Sequence, residues 1–158
     1  MSAVFGLAQY IASLEELQAL HNDHFGYVSG DTLFWSDYSN SPIFPIDEQP
    51  ESDNFYMLYN FAESHKKEVW WHVDTVFSLY VASNNVKLIA DATRVIRKAV
   101  GDYHYATKRI MDWAVVNSID MQPLNWIRFD DADMIIPQEQ ENGIKGRILT
   151  IRFNYTDC

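Results

Sequence analysis

The chain has 158 residues, with 22 acidic against 12 basic side chains and a formal net charge of −10. That balance argues against a phosphate-backbone binder, which needs a basic patch. The length suits a single domain, 1–158, whose core stands without disulfides or metal.

The single cysteine, Cys158, excludes an intramolecular disulfide and points to a reducing, cytoplasmic site of synthesis. The first residues lack the basic start of a secretory signal, and Glu15 and Glu16 follow their apolar part. No run of 18 apolar residues predicts a membrane span. Aromatic residues are abundant, with five Trp, nine Tyr and nine Phe. Part of that surface is expected outside the core, because Tyr and Trp favour interfaces.

Val4, Leu7, Ala8, Ile11 and Leu14 recur at helical spacing. Ser13 to Glu16 has the form of a capping box, which predicts a second helix ending near Gly26. Asp31 to Ser36 reads as a short strand. Prolines at 42, 45 and 50 mark a loop over 41–53, and Asn54 to Phe61 reads as a further strand. The polar run Glu63 to Glu68 reads as a turn.

Val69 to Ser83 is the longest predicted strand. Its odd positions (Val69, Trp71, Val73, Thr75, Phe77, Leu79, Val81) form an apolar face, so Trp71 is assigned to the core. Trp70 shares the mixed face with His72 and Asp74. Asn84 or Asn85 caps a helix whose stripe is Leu88, Ile89, Ala92, Val95, Ile96, Ala99 and Val100, with Gly101 as its stop. A shorter helix follows over 103–117, then strands over 125–136 and 147–155. The intervening Pro137–Gly146 loop is long for a hairpin, which suggests a role in contact. The element order predicts an α+β fold with a mostly antiparallel sheet, the helix over about 85–100 on one face, and an N-terminal helix.

Chemistry is sparse. There is no P-loop, GxGxxG, HExxH, EF-hand loop or GxSxG. No catalytic, cofactor-binding or metal-binding residue is assigned. His21 and His24 have ligand spacing, but they sit where a helix C-terminus favours histidine. His72 and Asp74 have the form of a base and its orienter, yet no nucleophile accompanies them. Asp130, Asp131 and Asp133 offer oxygen ligands or a solvated acidic face, with Asp130 opposed to the other two by strand alternation.

Together these features resemble the tail terminator, or tail completion, proteins of tailed bacteriophages, particularly contractile-tailed marine phages. The residues carrying the likeness begin with Val69-Trp-Trp-His-Val-Asp74 and Val76 to Tyr80. The Leu88–Val100 helix and Trp126 to Phe129 follow, and Glu139 to Gly143 with Gly146 to Tyr155 close it. The likeness covers roughly residues 54–156.

The resemblance implies a non-enzymatic virion protein, made in the host cytoplasm. It implies a hexameric ring at the head-proximal end of the tail tube, which stops tube growth and joins tail to neck. Tail tube protein and neck or connector proteins are the implied partners, with DNA passing through the lumen without specific binding. No cofactor and no membrane are involved. On this reading Trp70, His72, Asp74, Glu139, Glu141 and Lys145 are candidate interface residues. Asp47, Glu48, Glu51, Asp53, Asp130, Asp131 and Asp133 are candidate lumen acids. Six copies would carry roughly −60 before screening. Two other readings stay open. One is a head–tail stopper or completion protein of the neck. The other is a small α+β enzyme or ligand-binding protein using His72, Asp74 and the aspartate cluster.

Overall fold

The computed structural model describes residues 2–48, 54–65, 71–137 and 143–157. The chain folds as α1 (Ala3–Ala12), α2 (Glu15–Phe25), β1 (Ile43–Pro45), β2 (Phe55–His65) and β3 (His72–Ser83). Then come α3 (Val86–Val100), α4 (Tyr103–Val116), β4 (Leu124–Ala132), β5 (Ile136–Pro137) and β6 (Lys145–Thr156). One sheet runs in the order β1-β2-β3-β6-β4, and β5 pairs with β6 beyond the end of β4. Only the β1–β2 pairing is parallel. The fold is the expected α+β class.

The long β2, β3 and β6 strands make the sheet's spine. Their register places Met57 opposite Val81 and Arg147, and Phe61 opposite Phe77 and Ile151. The odd positions of β3 from Val73 to Val81, and those of β6 from Leu149 to Tyr155, are buried against the apolar stripes of α1, α3 and α4 in one core. The helix layer therefore covers one face of the sheet.

Local chemistry accounts for the helix limits. The Ser2 hydroxyl accepts from the Phe5 amide and caps α1. Gly26, at φ 72°, closes α2 in the left-handed conformation that glycine adopts without strain. The Asn85 side chain accepts from the Leu88 amide at 3.0 Å and caps α3. All seven residues of the predicted α3 stripe are buried, and Arg97 in its last turn lies 5.0 Å over the Phe129 ring.

The structure corrects several expectations. Residues 31–36 form turns, not a strand; Trp35 is nonetheless completely buried. Its amide donates to Asn22 Oδ1 and its carbonyl accepts from Asn22 Nδ2, so one α2 side chain supplies the hydrogen bonds a neighbouring strand would give. The Ser13 capping box does not form. Leu14 is the cap position, and the Ser13 hydroxyl donates back to the Tyr10 carbonyl at 2.6 Å. Ile43–Pro45, expected as loop, adds a short parallel strand. β2 runs through Glu63, Ser64 and His65, which were expected to turn; residues 66–68 lie outside the described residues. β3 begins at His72, and Trp71 is 42% exposed rather than a core residue. The periodicity is right from Val73 onward, but Trp71 precedes the strand and the helix layer does not reach it.

Candidate functional site: the uncovered sheet face

The even positions of β3 point away from the helices, and the register extends them into a surface four strands wide. Leu58, Tyr80 and Ile148 form one cross-strand row. Asn60, Ser78, Thr150 and Asp131 form the next. The third is Ala62, Val76, Arg152 and Arg128; the fourth is Ser64, Asp74, Asn154 and Trp126. One end of this face is apolar and the other is charged.

At the apolar end Ile136 is the register partner of Gly146, which faces Ala82 and, across it, Tyr56. The Tyr80 ring lies directly over Gly146: an ideal Cβ there would meet Tyr80 Cε2 at 2.3 Å. Glycine leaves the slot that the ring fills. The Tyr56 and Tyr80 rings are 6.4 Å apart, and loss of solvent pushes both hydroxyls above the ordinary phenol pKa. Ile136 and Ile148 are 55% and 41% exposed, and the neighbouring Met134 is 81% exposed. None of these five was identified as a site from sequence. The period-2 pattern of β6 places Ile148 outward, but the same pattern is compatible with an isolated surface isoleucine.

At the charged end the expected alternation of the aspartates is broken. A bulge between Phe129 and Asp131 puts Asp130 and Asp131 toward the same side. Arg152 Nε donates to Asp130 at 2.8 Å, and Arg128 Nε lies 3.5 Å from the same carboxylate. The Arg152 hydrogen bond, with the charges of both guanidiniums behind it, holds the Asp130 carboxyl below the usual range. Asp130 is thus a neutralised bridge between β4 and β6. Asp131 and Asp133 are exposed, Asp133 beyond the end of β4.

His72 faces Thr156, and Asp74 accepts from Asn154 Nδ2 at 2.7 Å. Asn154 in turn accepts from Asn125 Nδ2 at 2.7 Å. This ladder ties β3, β6 and β4 together and gives Asp74 a structural partner. A hollow of about 410 Å³ lies over this corner, lined by Ser64, Asp74, Val76, Trp126, Arg128 and Arg152.

Asp47 and Glu48 follow β1 at the opposite sheet edge, and both are exposed. They raise the pKa of the Tyr59 hydroxyl, which burial and the adjoining Tyr38 raise first. Beside them is a hollow of about 360 Å³ lined by His21, Leu33, Phe44, Glu48, Phe55 and Tyr56. Lys145 sits at the start of β6, its ammonium on the Gly143 carbonyl. Trp70, Glu51, Asp53, Glu139 and Glu141 lie outside the described residues. The expected acids therefore do not make one cluster: Asp47 and Glu48 are separated from Asp130, Asp131 and Asp133 by the width of the sheet.

Among the described residues no group of three His, Cys, Asp or Glu side chains is placed to hold a metal ion. His21 is buried, Nδ1 3.0 Å from Asn22 Oδ1, with the Phe25, Trp35 and Phe55 rings within 5.7 Å. His24 lies edge-on to Phe25. No helix among the described residues is long and apolar enough to cross a membrane.

No protein-family model matches the chain, and a search of curated proteins finds no match. A solved structure with partial similarity is the virion of a native gene transfer agent particle, at 14% identity and a TM-score of 0.45 over 92% of this chain and 98% of that chain. A likeness this loose speaks neither to family nor to role.

Proposed function

We propose that this chain is a structural virion subunit, a tail terminator whose copies close into a six-membered ring at the head-proximal end of the tail tube. The reading rests on the resemblance carried by residues 54–156 and on one structural observation, the sheet face that the chain's helices leave uncovered. That face carries Leu58, Val76, Tyr80, Ile136 and Ile148, in a protein whose helix layer buries the other side. Apolar area of this kind, rimmed by charges, marks association surfaces. A ring further requires two different patches on each subunit, because every contact is heterologous. Further exposed apolar side chains lie elsewhere: Tyr105, Val115 and Val116 on α4 are 71%, 79% and 82% exposed.

Within this reading Asp131 and Asp133 are the acids that face passing DNA, whose phosphates they repel. Asp130, held by two arginines, contributes little to that field. His72 and Asp74 serve subunit contact on the charged end of the uncovered face, and Trp70, outside the described residues, is proposed as a contact on sequence alone. A stopper ring of the neck would use the same surfaces, and position in the particle separates the two.

Sedimentation of the purified chain, alone and with tail tubes, tests the proposal. A closed oligomer, free or formed on tubes, is expected. A monomer under both conditions, holding a metabolite in the 410 Å³ hollow, overturns it in favour of a ligand-binding protein.

A further inference from the structure

β2 outlasts its neighbour on one side. β3 pairs with it along its whole length, Phe55 to His65, but β1 flanks only Met57 to Tyr59. Among the described residues no strand lies beside Phe61 to His65 on that outer edge. Asn60 to His65 are all exposed, Phe61 by 47%. A regular strand therefore runs on with its side chains in solvent and one edge open.

The hydrogen bonds fix which groups that edge presents. The Met57 amide donates to the Pro42 carbonyl at 2.8 Å, and the Tyr59 carbonyl accepts from the Ile46 amide at 3.0 Å. Odd-numbered residues of β2 thus turn their backbone groups away from β3, and even-numbered ones toward it. Beyond Tyr59, the Phe61 amide is met by Oδ1 of the adjoining Asn60 at 2.9 Å. The Phe61 carbonyl, the Glu63 amide and carbonyl, and the His65 amide complete the edge. This is a row of alternating acceptors and donors at strand spacing, which another extended backbone matches residue by residue.

The opposite edge of the sheet at this level is blunted. β4 has register shifts between Leu124 and Trp126 and between Phe129 and Asp131, and it carries Arg128, Asp130 and Asp131. Bulges and charges are devices that keep a free edge from pairing. Phe61 to His65 has neither a bulge nor a proline, and its one carboxylate, Glu63, accepts from the Tyr155 hydroxyl. Lys66 and Lys67, which follow, lie outside the described residues.

We infer that Phe61–His65 is a strand-addition site, where an extended segment of a different protein becomes a further strand of this sheet. A second copy has no matching strand to give. Its β4 edge is bulged, and its β1 is short and ends on Pro45, which lacks an N–H. Two β2 edges joined about their midpoint would set Glu63 directly against Glu63, a like-charge pair. The incoming strand fits best with an apolar residue beside Phe61 and a polar or basic one beside Glu63. The site is read from the sheet alone; its partner, a tail tube subunit, rests on the virion reading above.

Amide hydrogen exchange at single residues tests this on the full-length chain, alone and with purified tail tubes. In the chain alone, Glu63 and His65 are expected to exchange at least about tenfold faster than Ala62 and Ser64, whose amides face β3. On tubes, Glu63 and His65 are expected to slow by at least about tenfold. Glu63→Pro deletes an outward N–H and no bond to β3, and is expected to weaken tube binding at least about tenfold. Glu63→Gln keeps that N–H and is expected to bind like wild type. Tube binding that leaves Glu63 and His65 fast overturns the strand addition and leaves the virion reading standing. So does slow exchange of both amides in the chain alone, whether at all concentrations, which shows a closed edge, or only at high ones, which shows a second copy as occupant. A chain that binds no tube refutes the virion reading, and the tail tube partner with it.

Discussion

Two tryptophans give opposite expectations that a single melting series resolves. Trp35 is completely buried; its ring lies 5.7 Å from His21 and its Nε1–H donates to the Ala12 carbonyl at 3.0 Å. Truncating a core aromatic costs about 3–5 kcal/mol, and the lost hydrogen bond adds about 1 kcal/mol. Trp35→Ala is therefore expected to cost about 4–6 kcal/mol, a large share of the ~5–15 kcal/mol that holds a domain together. At ~2–4 °C per kcal/mol for a chain of this size, Tm falls by roughly 8–24 °C. Trp35→Phe keeps the ring. The Ala12 carbonyl also retains its bond from Gln18 Nε2, so the cost drops to about 1–2 kcal/mol. Trp71→Ala, at a site already 42% exposed, is expected to cost about 1 kcal/mol. Urea denaturation followed by circular dichroism gives all three values. Equal losses in Trp35→Ala and Trp71→Ala would refute the burial assignment and return Trp71 to the core.

Three further expectations concern the scaffold. Asn85→Ala removes the α3 cap and is expected to cost about 1 kcal/mol, with Asn85→Ser recovering most of it. Gly146→Ala forces the Tyr80 ring out of its slot and is expected to cost about 1–3 kcal/mol; the double variant Gly146→Ala with Tyr80→Ala is expected to lose less than the two changes summed. Tyr38, Tyr56, Tyr59, Tyr80 and Tyr155 all have hydroxyl pKa values raised above the ordinary 10.0, chiefly by burial. The folded state therefore holds these protons more tightly than the unfolded chain. The resulting stability is complete below pH 10 and declines as pH rises through the raised values. Absorbance titration is expected to show part of the tyrosine set ionising late, together with alkaline unfolding; nine tyrosines titrating together near 10 contradict it.

How much the sequence disclosed varied with the signal each element carries. The α3 helix was legible because Leu88 to Val100 repeat cleanly at 3.6 residues between an asparagine cap and Gly101. The inner face of β3 and β6 was legible because alternation is strict from Val73 and from Leu149. Residues 31–36 misled because Asn22, nine positions before Asp31, replaces a strand's hydrogen bonds with its own side chain. Local pattern contains no trace of that partner. Glu63 to His65 misled for another reason: β2 continues beyond the helix layer, where polar residues suit a strand as well as a turn. The Asp130 assignment failed because a bulge adds one residue and shifts the alternation after it. The uncovered face was half legible, since the mixed side of β3 announced a surface exposed to water or to a partner. The apolar cluster on it was not, because Ile136 and Gly146 meet Tyr80 and Tyr56 only through long-range pairing.

The central claim is assembly, and direct imaging of the virus particle tests it. With this chain labelled, electron microscopy is expected to find six copies around the channel where tail tube meets neck. A single copy, a location away from the tube's head-proximal end, or absence from the particle contradicts the account.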